Sequence, residues 1–262
     1  MGKREELFIA FGVILFLLLA AGLYWLCRVR SRRAVDSALE EIRLTGLVPG
    51  LQGIQFSADG VLGPAGATEP TWEGAVVVLD TSDAPLRGVY PDTPLWRVFR
   101  LVDKDVPQGT LEAFGRHSFL DGPQIRSSSG TTICTVTHVC PGDLHTPAQP
   151  GRAGVAKVKG ALRQVAEKYA CLCAMQLYGG RSTYEGLPVT VLMTVPFSEV
   201  NNGIMPKVEQ ARYFAGCLAV ASSRYPGRRS HVPFKLCCDG EEMRRICTDA
   251  AYNAARGSAQ CR

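Results

Sequence analysis

The chain has 262 residues, a formal net charge of +5, 46% apolar residues and 20% charged residues. That balance excludes a disordered or collagen-like polypeptide and leaves room for one substantial domain or two small ones. Part of the small cationic excess, Arg28, Arg30, Arg32 and Arg33, follows directly on an apolar run, so no nucleic-acid partner is expected.

Residues 1–6 form a charged N-terminal segment, after which Leu7 to Cys27 carries no charge. At 1.5 Å per helical residue that run reaches about 31 Å, the thickness of a hydrocarbon core, so residues 7–27 are expected to cross a bilayer once. A cleaved signal peptide would use Phe8 to Leu19 as its apolar region and Ala20, Ala21 and Gly22 as its cleavage site. Continuation through Leu23, Tyr24, Trp25 and Leu26, with Glu5 and Glu6 ahead of the run, favours an uncleaved anchor with an aromatic belt. Cys27, at the membrane edge, is a lipidation candidate.

Sidedness is open. The arginines after the span place the C-terminal part in the cytosol, and the chain has no Asn-x-Ser/Thr sequon. Ten cysteines argue instead for an oxidising compartment.

Beyond the span, Val29, Ala34, Val35, Ala38, Leu39 and Ile42 recur at helical spacing, so residues 28–45 are expected to form an amphipathic juxtamembrane helix. Residues 46–73 are rich in glycine and proline and read as a linker or irregular wrapping. Residues 74–262 are expected to form the globular domain. Its strand candidates are Ala75 to Leu79, Leu95 to Val102 and Thr131 to Cys140, followed by an exposed Pro-rich connection from Gly142 to Gly151.

The period then changes. Val155, Val158, Leu162, Val165, Tyr169 and Leu172 form an apolar helical stripe that ends at Gly179 and Gly180. Pro188 to Phe197 reads as a strand covered on both sides. A second helix starts near Pro206, carries Val208, Ala211, Ala215, Leu218, Ser222 and Tyr225 on one face, and stops at Pro226 and Gly227. A strand from Val232 to Cys238 leads to a third helix, with Asp239 and Glu242 at capping-box spacing and Met243, Ile246, Ala250 and Ala254 expected to be buried. The expected fold class is α+β: an N-terminal transmembrane helix with an amphipathic stalk, then a mixed sheet of about five strands covered by three helices.

Chemistry-bearing residues are sparse. On an extended strand His138 and Cys140 project from one face about 7 Å apart, with His145 arriving from the Pro-rich connection, which makes these three the metal candidates. Cys134 lies about 20 Å from Cys140 along such a strand and cannot share an ion with it. The disulfide candidates are Cys134, Cys140, Cys171, Cys173, Cys217, Cys237, Cys238, Cys247 and Cys261, an odd number that leaves at least one thiol free or intermolecular. Cys171 and Cys173 face different directions on a helix, and Cys237 and Cys238 point to opposite faces of a strand. No nucleophile elbow, zinc-protease helix, phosphate loop or dinucleotide fingerprint occurs. A Cys–His pair drawn from Cys140 or Cys238 with His145 or His231 is the remaining nucleophilic possibility. Arg228 with Arg229 and Arg244 with Arg245 read as solvated faces.

Gly179 and Gly180, followed by Leu192-Met193-Thr194-Val195-Pro196, resemble the helix, glycine turn and strand of the SOUL haem-binding family. That family continues with further strands where this chain has a helix from Pro206, so no haem-binding residue carries over and no cofactor is assigned. The expected function is a single-pass, membrane-anchored protein whose cysteine-rich domain binds a protein partner without catalysis. Its partners are then the bilayer, through residues 7–27, and another protein. Two alternatives are a disulfide-bonded envelope or cell-surface ectodomain used in attachment or fusion, and a membrane-tethered cysteine-dependent enzyme.

Overall fold

The computed structural model describes residues 16, 18–26, 28–30, 36–42, 45–48, 51, 53–82, 119–126, 132–175, 183–184, 187–225 and 233–260. The chain divides into two units, Met1–Leu44 and Thr45–Arg262. In the first, residues 18–26, 28–30 and 36–42 are helical. Leu23, Tyr24, Trp25 and Leu26, which cover all sides of a helix at 100° per residue, are 59–68% exposed. Among the described residues no helix is long and apolar enough to cross a membrane. Of the expected span, residues 7–15, 17 and 27 lie outside the described residues.

The second unit contains β1 (Ile54–Ser57), β2 (Ala75–Asp80), β3 (Phe119–Arg126), β4 (Thr132–Val139), α1 (Arg152–Met175), β5 (Thr183–Tyr184), β6 (Leu187–Thr194), α2 (Lys207–Ser222), β7 (Phe234–Cys237) and α3 (Glu241–Gln260). The strand order is β1-β7-β6-β2-β4-β3, with β5 pairing β6 off this path. β1, β7, β6, β2 and β4 are mutually parallel, whereas β3 runs antiparallel to β4. The body is therefore a mixed α/β fold on a five-strand parallel sheet, which corrects the α+β expectation. The cause is the alternation β4-α1-β6-α2-β7, because a strand that returns through a helix comes back parallel to its predecessor. The further strands implied by the SOUL resemblance give way to α2 at this point.

The apolar stripe of α1 is buried at Val158, Leu162, Val165, Tyr169 and Leu172, together with Ala161, Ala166 and Ala170. It reaches the sheet where the Cys173 thiol lies 3.9 Å from the Met193 sulfur. On α2, Ala211, Phe214, Ala215 and Leu218 are buried, and Phe214 meets Tyr169 edge to face with ring centroids 5.7 Å apart. On α3 the buried side chains are Cys247, Thr248 and Ala251, while Met243, Ile246, Ala250 and Ala254 are only half-buried, one step off the expected stripe. The capping box is also displaced. Asp239 has φ of 54°, and Arg244 N–H donates to Gly240 O, so the helix opens at Gly240.

The opposite face of the sheet carries Val76 and Val78 of β2, Cys134 and Val136 of β4, Leu192 of β6 and Cys237 of β7. The segment between β1 and β2 covers it, with Leu62 buried in the cluster and Val61, Ala67 and Trp72 packed against it. The Trp72 indole N–H donates to Val61 O at 2.9 Å, which fixes the ring. The Gly/Pro-rich stretch thus contributes an edge strand, β1, and a covering layer to the body. The expected strand from Leu95 to Val102 lies outside the described residues, as do His117, His231, Cys27, Cys261, Gly179, Gly180, Pro226, Gly227, Arg228 and Arg229.

Candidate functional site

The carboxyl ends of parallel strands lie on one edge of the sheet, and this is where α/β folds collect polar side chains. The register sets Asp80 of β2 beside His138 of β4, and Cys237 of β7 beside both Ser57 of β1 and Thr194 of β6. By strand alternation all five belong to the face that carries the apolar cluster, Cys237 as its member nearest the carboxyl edge and Ser57, Asp80, His138 and Thr194 at that edge beside it. The strand order reverses direction between β2, whose chain continues toward β4, and β6, whose chain continues toward β7.

His138 is 1% exposed and Asp80 is 6% exposed. His138 Nδ1 lies 3.3 Å from Asp80 Oδ2, which also accepts the Ser82 hydroxyl at 2.5 Å. His145 Nε2 lies 2.8 Å from Thr81 O, and since a carbonyl only accepts, Nε2 carries the proton. Between β2 and β6 the Tyr169 hydroxyl rises from α1 to within 3.2 Å of Leu79 O and Thr194 O. Burial pushes that hydroxyl well above the ordinary tyrosine range.

The loops beyond β4 and β6 are tied by two buried amides. Asn201 Nδ2 donates to Leu144 O, Thr146 O and Ser198 Oγ, and its Oδ1 accepts from Ala148 N–H. Gln210 Oε1 accepts from Ser198 N–H at 2.8 Å, while its Nε2 donates to Met205 O and Ser198 O. Sequence reasoning missed Asp80, Tyr169 as a hydroxyl, Asn201 and Gln210. The available signal was position: an acidic residue closing an unbroken apolar strand, and amides in the turn between a strand and a helix.

His138, Cys140 and His145 do not converge. His138 is engaged by Asp80 and His145 by Thr81 O, whereas Cys140 contributes its carbonyl to the Lys168 ammonium at 2.6 Å. Among the described residues no group of three or more His, Cys, Asp or Glu is placed to hold a metal ion.

Cys134, Cys140, Cys171, Cys173, Cys217, Cys237, Cys238 and Cys247 are free thiols. Cys134 and Cys237 share a sheet face but are separated by β2 and β6, about 14 Å at strand spacing, beyond the reach of a disulfide. Burial alone holds the Cys134 thiol far above its ordinary value, and burial foremost pushes Cys237 up to about 12. Cys238 is raised further by its hydrogen bond with Cys247 and then by burial. Such thiols stay protonated at neutral pH and are poor nucleophiles.

An open concavity lies elsewhere, a groove of about 570 Å³ across the outer surface of the helix layer. Lys159, Arg163 and Glu167, four residues apart, form its α1 wall, while Ala250, Asn253 and Ala254 form its α3 wall. Its floor is α2, through Tyr213, Gly216, Cys217 and Val220. Val220 is 37% exposed, and a Cβ at Gly216 would stand 3.6 Å from Ala254 Cβ. The Lys159 ammonium sits 5.2 Å from the Tyr213 ring centroid, and Glu167 pairs with Arg163 and Arg224 at 3.9 and 3.3 Å.

No family model and no curated protein matches the chain. Among solved structures it is similar to an alphavirus P23pro-zbd, with TM-score 0.40 and 11% identity over 76% of this chain and 23% of that one. A mutant tomato leucine aminopeptidase gives TM-score 0.41 and 11% identity over 78% of this chain and 36% of that one. A poly(ADP-ribose) glycohydrolase from Deinococcus radiodurans, in complex with ADP-ribose, gives TM-score 0.39 and 14% identity over 85% and 91%. The chain thus spans well under half the length of the first two.

Proposed function

We propose that the chain is a single-pass, membrane-anchored protein whose α/β body binds a protein partner without performing catalysis. The observation that carries this reading is the groove across α2, whose floor exposes Val220 beside Gly216 between a charged wall and a wall of small residues. Interfaces recognise partners through such partly apolar concavities with polar rims. The raised thiols of Cys134, Cys237 and Cys238 support a non-catalytic reading, because none is poised as a thiolate. An apolar helix exposed on every side at residues 23–26 supports the anchor, since such a surface is stable only when lipid or protein surrounds it. The test is quantitative affinity purification of the full chain from detergent-solubilised membranes, comparing the native sequence with Val220→Arg. Loss of a stoichiometric partner at unchanged melting temperature is expected, and an identical partner set in both would overturn the reading.

The strand topology favours a second reading, in which the carboxyl edge takes a small anionic ligand. The crossing point between β2 and β6 is where doubly wound sheets bind, and α1 and α2 both begin on that edge with positive dipole ends. α1 has no acidic residue in its first turn to neutralise this potential. Titrating the protein with inorganic phosphate and with ADP, followed by amide NMR, is expected to shift residues 198–202. Unmoved resonances at millimolar ligand would overturn it.

A further inference from the structure

The groove on the helix layer has unlike walls, and that asymmetry specifies its occupant. Four cations, Lys159, Arg163, Arg212 and Arg224, face two carboxylates, Glu167 and Glu209, and every one of them stands on α1, on α2 or just past the end of α2. The α3 side contributes only Ala250, Asn253 and Ala254. Glu167 is already shared between Arg163 and Arg224, so the cationic surplus is not consumed within the groove. Along α2 the lining runs from Glu209 to Ala221, more than three turns or about 18 Å. At Gly216 and Ala254 no side chain extends beyond Cβ, so a partner backbone can lie close to the floor.

We infer that the groove binds an amphipathic helix of another protein, with its apolar stripe on Gly216, Val220 and Ala254 and its acidic flank against Lys159 and Arg163 of the α1 wall. The inference rests on the protein-binding reading above and names its partner class. Helix-in-groove recognition requires an apolar strip about as long as the partner's exposed stripe, and the cations along the α1 wall set which flank of the helix turns toward it. A basic helix would set like charges against Lys159, Arg163 and Arg212, and an extended strand would find no sheet edge to pair with on a surface made of three helices.

The test places a photo-crosslinking amino acid at Val220 in the full chain, expressed in its membrane, and identifies the cross-linked peptide by mass spectrometry. The expected adduct is a segment with apolar residues at three- and four-residue spacing and an acidic flank. Its yield falls at least about tenfold in the Lys159→Glu, Arg163→Glu double variant. It is unchanged when Arg152→Glu and Lys157→Glu, outside the groove, alter the net charge equally. A synthetic peptide of that segment is expected to gain helical circular dichroism on binding and to bind more weakly as salt rises. An adduct on a basic or uncharged segment, on a second copy of this chain, or a yield indifferent to the double variant overturns the acidic-helix inference while leaving protein binding in place. Absence of any protein adduct at Val220 overturns both.

Discussion

Asn201 is 1% exposed and joins three separate stretches of chain, Leu144 to Thr146, Ala148 and Ser198, through a single side-chain amide. Its partners are the Ser198 hydroxyl and backbone groups wholly or partly removed from water, so losing the amide leaves an N–H and two carbonyls without their partner. Asn201→Leu keeps the volume and is expected to destabilise the body by about 3 kcal/mol, read from urea unfolding midpoints at constant slope. Asn201→Asp keeps the acceptor for Ala148 N–H but turns a carboxylate toward carbonyl oxygens. Its folded-state pKa is therefore raised, and its deficit is expected to shrink as pH falls through that raised value toward the unfolded carboxyl value. A deficit equal at pH 4 and pH 7 would contradict that electrostatic account. Tyr169 acts similarly across the gap between β2 and β6. Tyr169→Phe is expected to cost about 1 kcal/mol, because the ring remains packed on Phe214 while Leu79 O and Thr194 O lose a donor.

At the scale of elements, α1 offers a matched pair of glycines. A Cβ at Gly154 would come 1.8 Å from Gln149 O, a backbone atom held by the Pro-rich turn, whereas a Cβ at Gly160 meets nothing within 4 Å. The two Gly→Ala changes carry the same helix-propensity gain of up to about 1 kcal/mol, so their difference isolates the contact. Gly160→Ala is expected to stabilise, and Gly154→Ala to destabilise by about 1–3 kcal/mol, in parallel chemical denaturation curves. The stripe that located α1 was legible because 3.6-residue periodicity over six turns has no competing explanation. β2 and β6 were legible as strands, and the unbroken apolar run of Ala75 to Leu79 was the available signal for their parallel, doubly covered setting. β1 was not, because Ile54 and Phe56 alternate over only four residues between glycines. β3 contains Asp121-Gly122-Pro123, which reads as a turn; in the sheet it is an edge strand whose register slips between Asp121 and Gln124. The site was less legible than the fold for a related reason. His138 and His145 were recognisable as residues, but their partners Asp80 and Thr81 lie 58 and 64 positions away, a separation that only the β2–β4 register closes.

For the molecule as a whole, four of the cysteines that suggested an oxidising compartment, Cys134, Cys237, Cys238 and Cys247, act in this fold as buried apolar side chains, and that gives its stability a pH limit. Cys134, Cys237 and Cys238 are each at most 6% exposed, and burial or a thiol hydrogen bond raises all three above the ordinary 9.0. In the unfolded chain the same thiols ionise near pH 9, while in the folded body Cys237 waits until about 12 and the other two later still. Above pH 9 the unfolded state therefore binds fewer protons than the native one, and the stability falls as pH rises. Each thiol contributes a slope of up to about 1.4 kcal/mol per pH unit, so three together remove about 4 kcal/mol per unit once the unfolded thiols are ionised. Against a typical domain stability of about 5–15 kcal/mol, the body is expected to unfold within one to four units of pH 9. Urea midpoints measured under reductant at pH 8, 9, 10 and 10.5 read this directly, and Cys134→Ala should flatten the alkaline slope by up to about 1.4 kcal/mol per pH unit while lowering stability at pH 8. A midpoint constant from pH 8 to 10.5 would mean that these thiols are not protonated, buried groups in solution, and would return thiolate chemistry to the functions open to this protein.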